Sequence, residues 1–180
     1  MSFLELVNER RSVRAYAQRP VPRDILDRCL EAARLSPSAC NSQPWYFIVV
    51  DEPELRKKVA DAAFSGVYAM NTFAKRAPVL VIVVRDKAGY LARLGGQLRD
   101  VRYSLVDIGI AIEHFVLQAA DEGVGTCWLG WFDEGAVKRV LGIPKDRKVD
   151  MMLSAGFPAE DAPRPKARKA LNEISRYNQA

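Results

Sequence analysis

Two short segments carry the residue types best suited to chemistry. Arg10-Arg11-Ser12-Val13-Arg14 places three guanidiniums and a hydroxyl within five residues, where a helical pattern ends. A guanidinium is a planar fork that bonds two oxygens at once, which suits phosphate. The same cluster also fits a helix C-terminus whose dipole favours cations, or a solvated face. The second segment, Pro37-Ser38-Ala39-Cys40-Asn41-Ser42-Gln43-Pro44-Trp45, packs prolines, serines and amides ahead of an apolar run to Val50. It reads as a turn feeding a strand. Amides in such a turn present donors and acceptors to a planar heterocycle. An ordinary connecting loop has the same composition.

Other chemistries are poorly served. Cys29, Cys40 and Cys127 are widely spaced, and His114 is the only histidine, which argues against a Cys/His zinc site within the chain. His114 reads as a packed or interface residue, and Cys40 and Cys127 as spacers. Gly123-Val124-Gly125 lacks the third glycine of a dinucleotide loop, since Trp128 occupies that position, and it ends a helix instead of opening one. The net charge is +5, with basic clusters at Arg10, Arg11, Arg14 and Arg19 and at Arg164, Lys166, Arg168 and Lys169. Neither cluster has aromatic interleaving or a nucleic-acid motif, which leaves a phosphorylated small ligand or solvated surface.

These residues need a frame. A length of 180 residues suits one domain with a sizeable core, here expected to span residues 1–180, with 158–180 as an extended tail. No apolar run approaches a membrane span and no secretory signal is expected. Unpaired thiols fit a reducing cytoplasm. Apolar spacing predicts helices over 2–11, from Pro22 to before Pro37, over 66–76, over 101–121 and over 134–141. Asp51 is the expected cap of a further helix with Pro53 in its first turn, and Asp133 caps the helix at 134. Strands are expected at 45–51, 78–84, 127–132 and 151–156, the second being apolar throughout and therefore covered on both faces. Segment 86–100, with three glycines and several charges, reads as a loop or mobile excursion that would tune specificity. The helix at 101–121 is apolar on so much of its circumference that it belongs in the core or at a subunit interface. Mixed strands and helices give an α/β, or α+β, layered sandwich.

The two opening segments, with Gly125-Thr126-Cys127-Trp128-Leu129-Gly130 and Pro165-Lys166-Ala167-Arg168 in the same order, resemble the nitroreductase family of FMN-dependent NAD(P)H oxidoreductases. The likeness covers nearly the whole chain. It implies a mostly antiparallel central sheet flanked by helices, and a homodimer with FMN at the interface. It assigns Arg10, Ser12 and Arg14 to the flavin phosphate and nearby ring edge, with Arg11 contributing through backbone or side chain. Lys166 and Arg168 would close over the phosphate. Ser38, Asn41 and Gln43 would approach the ring, in many members from the opposite subunit, with Pro37 packed on the ring edge. Asn71 would lie near the pyrimidine end, and Trp128, Leu129 and Gly130 would run past the flavin. The implied activity is hydride transfer from NADH or NADPH through flavin N5 to a nitroaromatic, quinone or related acceptor, in a ping-pong cycle. The cofactor carries the chemistry, so no dedicated catalytic side chain and no metal are expected. A specialised reductase, such as a dehalogenase or enone reductase, and a non-catalytic flavin-binding protein remain alternatives.

Overall fold

The β-branched run at 79–84 has no polar residue to turn toward water, so it must be covered on both sides. The computed structural model, which describes residues 1–86, 101–159 and 166–178, places it as a central strand. The elements are α1 (Phe3–Glu9), α2 (Arg23–Arg34), a 3-10 turn (Ala39–Asn41), β1 (Trp45–Val50), α3 (Pro53–Ala63) and a 3-10 segment (Gly66–Arg76). They continue with β2 (Val79–Arg85), α4 (Tyr103–Asp121), β3 (Gly125–Leu129), α5 (Glu134–Leu141), β4 (Lys148–Gly156) and a short exposed α6 (Leu171–Ile174). The sheet runs β1-β2-β4-β3, and every neighbouring pair is antiparallel.

Alternation along β2 divides the core. Val79, Val81 and Val83 face α2 and α4, where Leu26, Cys29, Ala33, Ile112 and Phe115 are buried. Leu80, Ile82 and Val84 face Val59, Ala63, Phe64, Ala74 and Val137 on the other side. The expected layered sandwich is therefore present, as an α+β fold with helices on both faces of an antiparallel sheet.

Several boundaries differ from expectation for local reasons. Glu52, not Asp51, caps α3: its carboxylate accepts from the amides of Glu54 at 2.9 Å and Leu55 at 2.6 Å. Asp51 is engaged instead by the Arg23 guanidinium at 2.7 and 3.1 Å, which ties the end of β1 to α2. β3 begins at Gly125 and stops at Leu129, because its pairing runs from Gly125–Gly156 to Leu129–Met152 and then ends. β4 starts at Lys148, since Val149 pairs with Val84 across a bulge. The segment at 66–76 is helical but of the tighter 3-10 kind, with a kink at Asn71. The Asp133 cap and the left-handed Gly142 that ends α5 are as expected, as is the turn at Gly123 after α4. Residues 87–100, most of the expected excursion, lie outside the described residues.

Among the described residues, one face of α4 is fully buried and most of the rest is half-buried. Ile108, Ala111, Ile112, Phe115, Val116 and Ala119 are buried, so Ile108 and Ile112 belong to the subunit core and not to an outward surface. Leu105 and Val106 are exposed. In the tail, Leu171, Ile174 and Tyr177 are exposed as well.

Candidate functional site

The basic segment is pinned by an irregular extension of the sheet. Helix α1 opens on a capping box between Ser2 and Glu5 and ends at Arg10, whose backbone turns extended. Beyond it, Ser12 bridges Thr126 of β3 in the parallel sense, and the Val13 amide donates to the Thr126 carbonyl at 2.9 Å. Gly125 makes this approach possible: a Cβ there would meet Val13 Cγ2 at 2.4 Å and Val13 Cβ at 2.7 Å. Further along, the Tyr16 hydroxyl reaches the Val13 carbonyl and Ser154 Oγ, each at 2.7 Å. Burial raises the Tyr16 phenol well above its ordinary value, so it stays neutral and serves as an anchor.

Four cations gather where α1 ends. Lys166 Nζ donates to the Val7 carbonyl. Partial burial first, then the Arg10, Arg11 and Arg168 guanidiniums, push the Lys166 ammonium below its ordinary value. Arg11 donates to the carbonyls of Glu9 at 2.9 Å and Arg10 at 3.1 Å. Arg10 Nε lies 3.9 Å from Glu113 Oε1, yet it is buried and has no hydrogen-bond acceptor among the described residues. Like charges held this close are costly unless offset, and the Glu113 carboxylate supplies one counter-charge. Helix carbonyls supply part of that offset.

A second group lines the outer edge of β3. The Arg14 guanidinium sits 5.8 Å from the centre of the Phe73 ring. Asn71 Nδ2 donates to the Trp131 carbonyl at 2.9 Å, and Trp131 Nε1 donates to the Val67 carbonyl at 3.0 Å. Trp131 also packs against Tyr68, with ring centres 5.2 Å apart. Gly130 is exposed, and a Cβ there would meet nothing nearer than Met151 Sδ at 3.7 Å. Trp128 is half-buried, and the Leu129 side chain is fully in the core, so only its backbone is available to a ligand. Burial raises the Cys127 thiol against the pull of Arg14, which makes it a poor nucleophile.

The amide-bearing loop is elsewhere. Pro37, Ser38, Asn41 and Gln43 precede β1, at the opposite edge of the sheet from β3. Three strand spacings amount to about 14 Å. Arg10, Arg11, Lys166 and Arg168 gather at the end of α1, Ser12 and Arg14 follow along the β3 edge, Asn71 meets the Trp131 carbonyl just past β3, and the loop residues lie at the other edge. Within the loop, Gln43 Nε2 donates to Asn41 Oδ1 at 2.9 Å and the Gln43 amide donates to Ser38 Oγ at 3.0 Å. Cys40, Asn41 and Gln43 all adopt positive φ, a conformation that costs non-glycine residues energy. Asp107 on α4, buried, accepts from the Ala39 amide at 3.0 Å. Sequence reading passed over Asp107, Glu113, Phe73 and Trp131. The signal for Asp107 was there: it is the only charged residue between Tyr103 and Ile112, on the stripe that packs inward.

The family model for the nitroreductase family matches residues 7–69 and 67–157. The chain belongs to the nitroreductase family. A protein of Methanothermobacter thermautotrophicus, provisionally named NADH dehydrogenase/NAD(P)H nitroreductase, is 32% identical over 166 residues, covering 89% of this chain and 80% of its own. Mouse iodotyrosine deiodinase 1 is 28% identical, over 96% of this chain and 68% of its own. The crystal structure of a nitroreductase family protein from Clostridium novyi NT superposes with a TM-score of 0.74 at 30% identity, over 89% of this chain and 87% of that one.

Proposed function

We propose that the protein is an oxidoreductase that holds FMN between two copies of the chain. The observation that carries this reading is the convergence of Arg10, Arg11, Lys166 and Arg168, with a buried Arg10 Nε that has no hydrogen-bond acceptor among the described residues, beside the pinned Ser12–Arg14 segment. A dianionic phosphate ester is the kind of group that would satisfy all of these donors at once. The fit extends to a planar ring. Gly130 and the backbone of Trp128 and Leu129 lie at the end of β3, and Asn71 reaches the Trp131 carbonyl just beyond it. FMN bound there would supply hydride chemistry at N5, taking from NADH or NADPH and giving to a nitroaromatic, quinone or related acceptor.

This chain's residues do the rest. Arg10, Arg11, Ser12, Arg14, Lys166 and Arg168 bind and orient the phosphate end. Asn71 and the Trp128–Gly130 backbone border the ring. Pro37, Ser38, Asn41 and Gln43 precede β1, at the edge of the sheet opposite β3. They complete the site of a second copy. Exposed Leu105 and Val106 of α4, with Leu171, Ile174 and Tyr177 of the tail, supply apolar surface for that contact. No helix among the described residues is long and apolar enough to cross a membrane, and three unpaired thiols suit a reducing cytoplasm.

The likeness to iodotyrosine deiodinase favours a second reading, reductive removal of halogen from a phenolic substrate, on the same cofactor. Visible absorption of the purified protein tests the cofactor. Steady-state oxidation of NADH and NADPH with a quinone, a nitroaromatic and a halophenol then separates the two enzymes. A coloured protein that turns over none of them is a flavin-binding protein. A colourless protein that takes up no added FMN refutes the proposal.

A further inference from the structure

The loop from Ser38 to Gln43 is short, exposed at Cys40, Asn41 and Gln43, and held in an unfavourable shape. Cys40 has φ 52°, Asn41 φ 51° and Gln43 φ 42°. Asparagine tolerates this region, while cysteine and glutamine adopt it only when their surroundings impose it. The bonds inside the loop are all local: the Asn41 amide to the Ser38 carbonyl at 3.0 Å, the Ser42 amide to the Ala39 carbonyl at 3.1 Å, the Gln43 amide to Ser38 Oγ at 3.0 Å and Gln43 Nε2 to Asn41 Oδ1 at 2.9 Å. Such bonds do not tie the loop to the body of the protein. Asp107 does. Its Oδ1 accepts from the Ala39 amide at 3.0 Å, and its Oδ2 faces the Ser42 hydroxyl at 3.5 Å, so one carboxylate grips both sides of the strained pair. The carboxylate is 4% exposed on a helix whose other inward residues are apolar. A buried carboxylate on an apolar face is retained against a desolvation cost, and its two loop partners are the return visible in the structure.

We propose that Asp107 is the positioning residue of the cofactor site: it holds Ser38, Asn41 and Gln43 in the one backbone arrangement that presents their polar groups outward to the flavin ring. The inference rests on the FMN reading above. It assigns a role to α4 as well. The helix that forms the subunit core also sets the shape of the recognition loop, so loop geometry is coupled to core packing.

The test compares wild type, Asp107→Ala and Asp107→Asn. Asparagine keeps an acceptor for the Ala39 amide and a donor for the Ser42 hydroxyl; alanine keeps neither. FMN and riboflavin affinities are measured by fluorescence titration, and amide exchange is followed by mass spectrometry in the flavin-free protein. Losing the grip should weaken both flavins about tenfold or more in Asp107→Ala, the scale of one hydrogen bond to a charged group. Both should fall alike, because the loop meets the ring and not the phosphate. Exchange should accelerate over residues 38–43 with β2 still protected, and Asp107→Asn should stay close to wild type in both measurements. Unchanged flavin affinity in Asp107→Ala overturns the inference, as does acceleration spread equally over β2, or an asparagine variant as weak as alanine. If wild type binds no flavin, the cofactor reading fails instead, and the exchange comparison still decides whether Asp107 holds the loop.

Discussion

Replacing Gly125 by alanine should separate the cation-bearing segment from the sheet. The new Cβ would lie 2.4 Å from Val13 Cγ2, 2.7 Å from Val13 Cβ and 3.1 Å from Val13 Cγ1. A β-branched side chain has little rotamer freedom to yield, and its own Cβ cannot rotate away, so the backbone of one partner must move. Overpacking of this kind costs about 1–3 kcal/mol. Moving Val13 also strains its amide bond to the Thr126 carbonyl, now 2.9 Å, worth about 1 kcal/mol. Ser12 and Arg14 flank that bond, so the loss should appear twice. Urea denaturation should show a destabilisation of about 2–4 kcal/mol. FMN titration should show weaker binding even at temperatures where the variant is folded. Adding Val13→Gly removes every clashing atom and should recover part of the affinity, a coupling that two independent lesions would not show. A Gly125→Ala protein with wild-type stability and wild-type FMN affinity would refute the reasoning.

Other expectations follow from the same structure. Arg14→Ala and Arg168→Ala should each weaken FMN about tenfold to a hundredfold while leaving riboflavin nearly unchanged; equal losses in paired titrations would mean that neither arginine meets the phosphate. Val106→Glu, on the exposed stripe of α4, should shift light scattering from dimer toward monomer and release flavin with it, whereas Ile112→Glu should unfold the subunit. The Lys75 and Lys57 ammoniums hold the Asp61 carboxyl down to about 2. A depressed carboxyl contributes stability above its unfolded value that is lost as pH falls toward its folded one. Asp61→Asn should therefore flatten the stability–pH curve between about pH 4 and 2, by less than about 1 kcal/mol because the pair is exposed. A slope there equal to wild type counts against it.

Periodicity and motif order made much of this protein legible before any coordinates. The apolar run of β2, the Asp133 cap and the glycine stops at Gly123 and Gly142 are local signals, each set by the chain's own dihedrals and neighbours, and each appears where expected. The competition between Asp51 and Glu52 for the start of α3 was not legible. It turns on Arg23, a residue 28 positions away that claims Asp51. The end of β3 was not legible either, since pairing with β4 and not propensity decides where it stops.

The same division holds for the site. Residue types and their order along the chain determined which class of ligand could be held: guanidiniums for an anion, amides for a ring, no histidine cluster for a metal. Tertiary structure decided which of those residues meet. Hydrogen bonding across β1-β2-β4-β3 sets the amide loop and the arginine segment at opposite edges, and burial of Asp107 beneath the loop gives it a single shape. Neither result is encoded in a window of sequence, because each depends on contacts between residues far apart along the chain, whose free energy exists only once the layers have packed.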